Sequence, residues 1–331
     1  MIIEIVWLIG SLIVILLGCE LFTNGIEWTG KKLQLSEGLV GSVLAAVGTA
    51  LPETLIPIIA IIFSGDVSSV QVGIGAIAGA PFMLSTLAFF VSGVAVVIYA
   101  SMKKRDSELK INSKVITTDL LFFLIVYTAA IGVSFLHSRL INIIVACLLT
   151  LSYCYYLWLT LQHEGVISHE LEALHFSRNN SKPRLRIIAA QVLAGLACIV
   201  IGAHFFVDSL IDTAKIFSIS PLILSLLLTP VATELPEKMN SVLWLAKGRD
   251  TMAIGNITGA MVFQGSFPVA FGMAFTQWHI SESTLVSALL AILSSLYFYI
   301  MLKKNGGLHF RNLLVGGAAY AGFIVYVFFA A

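Results

Sequence analysis

Charge is what this sequence lacks. Only 11 % of its 331 residues are Asp, Glu, Lys or Arg, 58 % are apolar, and the mean hydropathy is +0.97. Soluble domains carry roughly 25 % charged and roughly 45–50 % apolar residues. A chain this poor in charge cannot cover a water-facing surface, which excludes a soluble enzyme, a nucleic-acid binder and a disordered scaffold. The few charges nearly cancel, at +1 net, so the total calls for neither an acidic nor a basic partner. Cysteine is also scarce. Cys19, Cys147, Cys154 and Cys198 stand singly in apolar segments without metal-ligand spacing, and they read as buried thiols in helices. Hydrolytic and nucleotide signatures are missing: there is no G-x-S-x-G, no H-E-x-x-H and no G-x-x-x-x-G-K-[ST]. Asp119, near the cytoplasmic end of its segment, forms no aspartate pair inside the apolar runs. No enzyme and no resident cofactor are expected.

What is present is a series of long apolar runs. A spanning helix takes about 20 apolar residues, and ten runs qualify, at 5–25, 38–63, 70–100, 116–136, 140–161, 187–210, 219–246, 252–277, 282–302 and 311–330. The fold class is therefore an all-α membrane protein of ten transmembrane helices, with the lipid bilayer as its solvent. Leu16-Leu17-Gly18-Cys19 resembles a lipoprotein cleavage site, but the only charge before it is Glu4, so the segment reads as the first span. The breaks between runs are short. Only 102–114 and 162–186 stand out, and the latter carries His163, His169 and His175, read as a solvated face.

Lysine and arginine are retained on the cytoplasmic side of short loops. Alternate numbering of the loops puts sixteen on one side, among them Lys31, Lys103, Arg105, Arg184 and Lys304, against Arg139 and Lys215 on the other. This bias places both termini outside, in a multi-pass protein of the plasma (cell inner) membrane.

The chain repeats itself. Residues 18–53 and 202–237 align without a gap, with 11 identities in 36 positions, and both end in L-P-E. GAIAGA at 75–80 likewise matches GNITGA at 255–260. Five spans separate the copies, so the second enters the membrane from the opposite side. Inverted repeats are a transporter architecture with a site at the bilayer midplane. The expected organisation is a first five-helix repeat over 1–161 (motif 38–100), a cytoplasmic linker over 162–186, and a second repeat over 187–331 (motif 219–277).

The motifs place ionisable groups where lipid should be: Thr49-Ala50-Leu51-Pro52-Glu53 in the second span and Thr233-Glu234-Leu235-Pro236-Glu237-Lys238 in the seventh. A charge at the bilayer centre costs about 2.5–3.5 kcal/mol on translocon scales, and such residues mark ion or proton paths. Proline in each motif removes a backbone donor and frees carbonyls one turn earlier, so a broken helix lining a cavity is expected. Residues four apart share a helix face. Thr49 and Glu53 form one stripe, and Thr229, Thr233, Glu237 and Ser241 form its counterpart. Two facing glutamates among hydroxyls and carbonyls make an oxygen cage suited to a hard cation such as Ca²⁺. Adjacent carboxylates also repel, so one of them takes a proton when no metal is present. Glu234 lies four residues before Lys238, the spacing of a neutralised helical pair; the other reading makes it a third cation ligand.

G-T-A-L-P-E at 48–53, A-T-E-L-P-E at 232–237 and G-N-I-T-G-A at 255–260 resemble the two alpha repeats of the calcium/cation antiporter superfamily, which includes sodium/calcium and proton-coupled calcium exchangers. The resemblance covers most of the chain. It implies five-plus-five inverted topology, Ca²⁺ held between Glu53 and Glu237, contributions from Thr49 and Thr233, and Na⁺ or H⁺ as counter-ion. Departures are equally specific. The motif serine is Ala50 in one copy and Glu234 in the other. The polar stripe of the third span has become Ala76, Ala80 and Leu84, with Pro81 between, and the eighth span keeps Asn256 and Gln264 around Ala260. Losing neutral oxygen ligands weakens Na⁺ sites most, which favours proton coupling or fewer sodium ions. Other readings are a Mg²⁺ or Mn²⁺ exchanger of the same fold and a transport-inactive cation sensor or assembly protein. The partners are inorganic cations. Small-residue positions serve packing within one chain as readily as dimerisation, so no oligomeric state follows.

Overall fold

The computed structural model describes residues 2–32, 51–64, 66–161, 172–178 and 183–330. Among these, regular structure is helical, apart from one isolated antiparallel bridge between Glu108 and His309. The helices are α1 (Ile2–Lys32), α2 (Leu51–Ile58), α3 (Val67–Ser101), α4 (Ser113–Val133), α5 (Arg139–Leu161), α6 (Leu185–Phe217), α7 (Pro221–Ala246), α8 (Asp250–Gln264), α9 (Phe267–Phe275), α10 (Glu282–Asn305) and α11 (Phe310–Ala330). Eight helical stretches are long and apolar enough to cross a membrane, and Pro52–Phe63 and Pro221–Glu234 are shorter apolar helices. Where their residues are described, the apolar runs correspond to helices, because a lipid-facing backbone must satisfy its polar groups internally.

Proline shapes these helices differently from the sequence expectation. α7 remains helical through Pro230 and Pro236 and is not broken at its L-P-E motif. The distortions lie elsewhere. Pro57 in α2 is followed by a π-turn at Ile59–Phe63, and Pro81 in α3 by a π-turn at Leu84–Ala88. A missing N–H and a ring that crowds the preceding turn are absorbed by locally widening the helix. The run at 252–277 is interrupted outright: α8 ends at Gln264, Gly265–Ser266 form a turn, and α9 restarts at Phe267 with Pro268 in its first turn. Proline is favoured at that position because the missing donor is one the helix start would leave unused. α3 is capped by Asp66, which accepts from the Ser69 backbone N–H (2.9 Å) and hydroxyl (2.7 Å). Those bonds hold its carboxyl below the usual carboxylate range.

Packing is closest between α1 and α6 and between α3 and α7. At the first crossing a Cβ on Gly195 would lie 2.7 Å from the Phe22 amide nitrogen. At the second, a Cβ on Gly79 would collide with the Leu226 carbonyl. Small residues let membrane helices approach backbone to backbone. One apolar cluster fills the space among α3, α4, α7, α8, α10 and α11. A second joins α1 and α6 to Ile56, Ile59 and Ala60 of α2. The helix contacts also come in matched pairs: α2 on α3 with α7 on α8, α3 on α11 with α9 on α5, and α3 on α10 with α8 on α4.

The thiols are helical, but only Cys19 is buried; Cys198 is half-buried, and Cys147 and Cys154 are exposed on α5. Their surroundings on α5 are equally apolar and exposed, Leu148 and Leu151 among them, so apolar neighbours in sequence did not imply a buried position. His163 and His169 lie outside the described residues. His175 sits in a short helical turn, its ring nitrogen 3.4 Å from a Glu20 carboxyl oxygen, rather than on a freely solvated face.

The positively charged 102–112 segment is fastened to the α7–α8 turn. Arg105 reaches both carboxyl oxygens of Asp250, at 2.7 and 3.0 Å, and also donates to the Leu245 and Glu108 carbonyls. The Lys110 amide donates to the same Asp250 carboxylate at 2.7 Å. Both side chains of the ion pair are buried, Arg105 4 % and Asp250 2 % exposed.

Candidate functional site

α7 carries a polar stripe at four-residue spacing, hydroxyls at every position but Glu237. Ser225, Thr229, Thr233 and Ser241 are all buried. Thr233 donates to the Thr229 carbonyl (3.0 Å), the Ser225 and Thr229 hydroxyls lie 3.0 Å apart, and Ser225 donates to the Val72 carbonyl of α3 (2.7 Å). The stripe therefore faces α3 at one end. At the other it meets α8, where the Asn256 amide nitrogen donates to the Ser241 hydroxyl at 3.0 Å. Ser225 extends the stripe one turn beyond the sequence reading.

Glu237 falls on this stripe, one turn beyond Thr233; Leu235, Pro236 and Glu237 are described by their backbone alone. Glu53 lies in the first turn of α2 and is 7 % exposed, and α2 packs against α7. Glu234 and Lys238 are both buried on α7, one turn apart. Thr49 and Ala50 lie outside the described residues. Gln264 is buried at the last position of α8, where the helix breaks. The structure thus joins Thr233 and Asn256 through α7 and sets Gln264 at a helix end. No group of three or more His, Cys, Asp or Glu side chains gathers to hold a metal among the described residues.

α3 contributes differently. Ala76, Ala80 and Leu84 are all buried, Leu84 within the main apolar cluster, so the stripe offers no side-chain oxygen. Pro81 has no N–H to give the Ile77 carbonyl, which leaves that backbone oxygen without its intrahelical donor.

Besides Asp250, sequence reasoning passed over a second buried acid. Asp119 of α4 accepts from the Tyr156 hydroxyl of α5 at 2.8 Å and from the Thr258 hydroxyl of α8 at 2.6 Å. Thr258 belongs to the G-N-I-T-G-A motif, two residues from Asn256. The available signal was a carboxylate two turns inside an apolar helix, but 139 residues of chain separate it from its partner in α8.

The model of a family described as sodium/calcium exchanger protein matches residues 3–162 and 187–331. The chain belongs to the sodium/calcium exchanger family. Its members and structural relatives are exchangers, so this is an integral, multi-pass membrane transporter and not an enzyme. An uncharacterized membrane protein of Methanocaldococcus jannaschii is 27 % identical over 299 residues, covering 89 % of each chain. The crystal structure of the H⁺/Ca²⁺ exchanger CAX superposes with a TM-score of 0.73 at 15 % identity, covering 98 % of this exchanger-family chain and 82 % of CAX. The sodium-calcium exchanger NCX_Mj, soaked with Na⁺ and Sr²⁺, superposes with a TM-score of 0.56 at 21 % identity, covering 98 % of each chain. At these identities the likeness establishes the fold.

Proposed function

We propose that this exchanger-family protein is a secondary antiporter that moves a divalent cation, Ca²⁺ in the first instance, against H⁺ by alternating access. The observation that carries this reading is the buried α7 hydroxyl stripe joined to Asn256, with Glu53 buried on the neighbouring α2. Glu53 and Glu237 are the charged cation ligands. Thr49, Thr233, Asn256 and Gln264 supply neutral oxygens, and Glu234 either pairs with Lys238 or completes the cage. Hard cations of this kind take six to eight oxygens.

Ten spans arranged as inverted repeats, 1–161 and 187–331 around a 162–186 linker, accord with the paired helix contacts and with the two stretches matched by the family model. Outward termini follow from the loop charge. Protons are favoured over Na⁺ because the α3 stripe is apolar, leaving few neutral oxygens for separate sodium sites. Sodium coupling, Mg²⁺ or Mn²⁺ as cargo, and a transport-silent sensor are the alternatives.

Equilibrium binding tests the proton claim before any flux is measured. Two carboxylates that hold both Ca²⁺ and protons make the two compete, so Ca²⁺ affinity of the purified protein falls as pH falls. Calorimetric titration over a pH series is expected to show that loss together with proton release on binding. Affinity independent of pH, with no protons released, contradicts a shared site.

A further inference from the structure

Two buried carboxylates lie outside the proposed cation cage: Asp250, held by Arg105, and Asp119. The latter is 5 % exposed, two turns inside α4. Keeping an acid at that depth is costly, and intramembrane acids retained there commonly serve ion or proton movement. A guanidinium or ammonium partner would fix it as a permanent anion. Among the described residues no cation forms an ion pair with it. On α8 the other ionisable group is Asp250, two turns earlier and held by Arg105. On α10, Lys303 lies over the Tyr299 ring. On α5, Tyr156 touches it and Tyr153 stacks on Tyr156; Arg139, at the start of that helix, donates instead to the Met273 and Thr276 carbonyls, and Cys147, Cys154 and Tyr155 are exposed. On α4 itself Lys114 is exposed.

The two partners of Asp119 are hydroxyls, and a hydroxyl can reverse its role. In the ionised state Tyr156 and Thr258 donate to the two carboxyl oxygens. Thr258 has a second acceptor within reach, the Gly255 carbonyl at 3.4 Å. A proton arriving on Oδ2 can therefore be donated to the Thr258 oxygen while Thr258 turns its own O–H to Gly255, and Tyr156 goes on donating to Oδ1. No polar atom is stranded in either state, which is the requirement for a buried group to change charge.

We propose that Asp119 is a second proton-binding site of this transporter, distinct from the glutamate pair, and that Thr258 passes its occupancy to α8. Hydrogen bonds to an ion are roughly twice as strong as neutral ones, so protonation slackens the tie between α4 and α8. α8 also carries Asn256, bonded to Ser241 of α7. The path thus runs from Tyr156 through Asp119 and Thr258 into α8, and from Asn256 to Ser241, one turn along α7 from Glu237. Its transport consequence rests on the antiport reading; the bound proton itself does not.

Infrared difference spectroscopy of the purified protein over a pH series reads the proton without any flux. The expected result is a protonated-carboxyl C=O band that titrates, is lost in Asp119→Asn and is retained, shifted, in Asp119→Glu. Thr258→Val and Tyr156→Phe keep the carboxyl and are expected to move that band, which preserves the test if Asp119→Asn fails to fold. Spectra of wild type and Asp119→Asn that coincide at every pH overturn the proposal, as does a band unmoved by both hydroxyl deletions. A wild type without exchange activity would instead count against the antiport reading and leave these spectra interpretable.

Discussion

Glu53→Gln is expected to reduce cation exchange to the leak of protein-free vesicles while the protein stays folded in the membrane. The substitution keeps shape and hydrogen-bonding capacity and removes one charge. A Ca²⁺ cage built around two carboxylates then loses half its formal charge, and neutral amide oxygen does not replace it. Stability should move the other way. Glu53 is buried in an apolar bundle, and a neutral amide is cheaper to keep there than a carboxylate, so the thermal midpoint is expected to hold or rise. Glu237→Gln should behave alike, since it occupies the corresponding motif position. If the two glutamates were structural helix locks, loss of activity would follow loss of folded protein. Normal flux from either variant, read beside its melting curve, would refute their role as ligands.

Arg105→Ala is expected to produce the largest loss of stability, about 3–5 kcal/mol, the usual cost of removing one partner from a buried ion pair. The guanidinium spans Asp250 bidentately and caps the Leu245 and Glu108 carbonyls, so the substitution strands a buried carboxylate at the start of α8. Arg105→Lys should recover only part of the loss, because an ammonium cannot reproduce the fork. In the double variant Arg105→Ala/Asp250→Ala the stranded charge is gone, so its destabilisation should be well below the sum of the two single changes. Thermal unfolding of the four proteins in one detergent closes the cycle. Additive losses would show that the pair is not coupled.

The helices were legible because membrane helices must be long and apolar; the runs at 116–136, 140–161 and 282–302 coincide with α4, α5 and α10 to within a few residues. The α7 stripe was legible from four-residue spacing alone. The position of the helix distortions was not. The L-P-E proline of α7 suggests a break, yet the chain stays helical there and breaks at Gly265–Ser266, where Gln264-Gly265-Ser266 and Pro268 are the local warning inside an otherwise apolar run. Arg105 entered the sequence reading only as a loop charge, and Asp119 as a peripheral acid. Both owe their roles to partners about 140 residues away, Asp250 and Thr258, which no local pattern reveals. Cys147 and Cys154 show the complementary failure, since an apolar segment does not tell which face meets lipid and which meets protein.

The protein is proposed to exchange a divalent cation for protons at a glutamate-lined site. The most direct measurement is flux in proteoliposomes loaded with Ca²⁺, under an inward H⁺ gradient or an inward Na⁺ gradient imposed separately, with Mg²⁺ and Mn²⁺ as parallel cargoes. The predicted result is Ca²⁺ release driven by the H⁺ gradient alone and absent in Glu53→Gln. Release driven by Na⁺ alone would contradict proton coupling, and absence of release for every cargo under both gradients would contradict antiport itself.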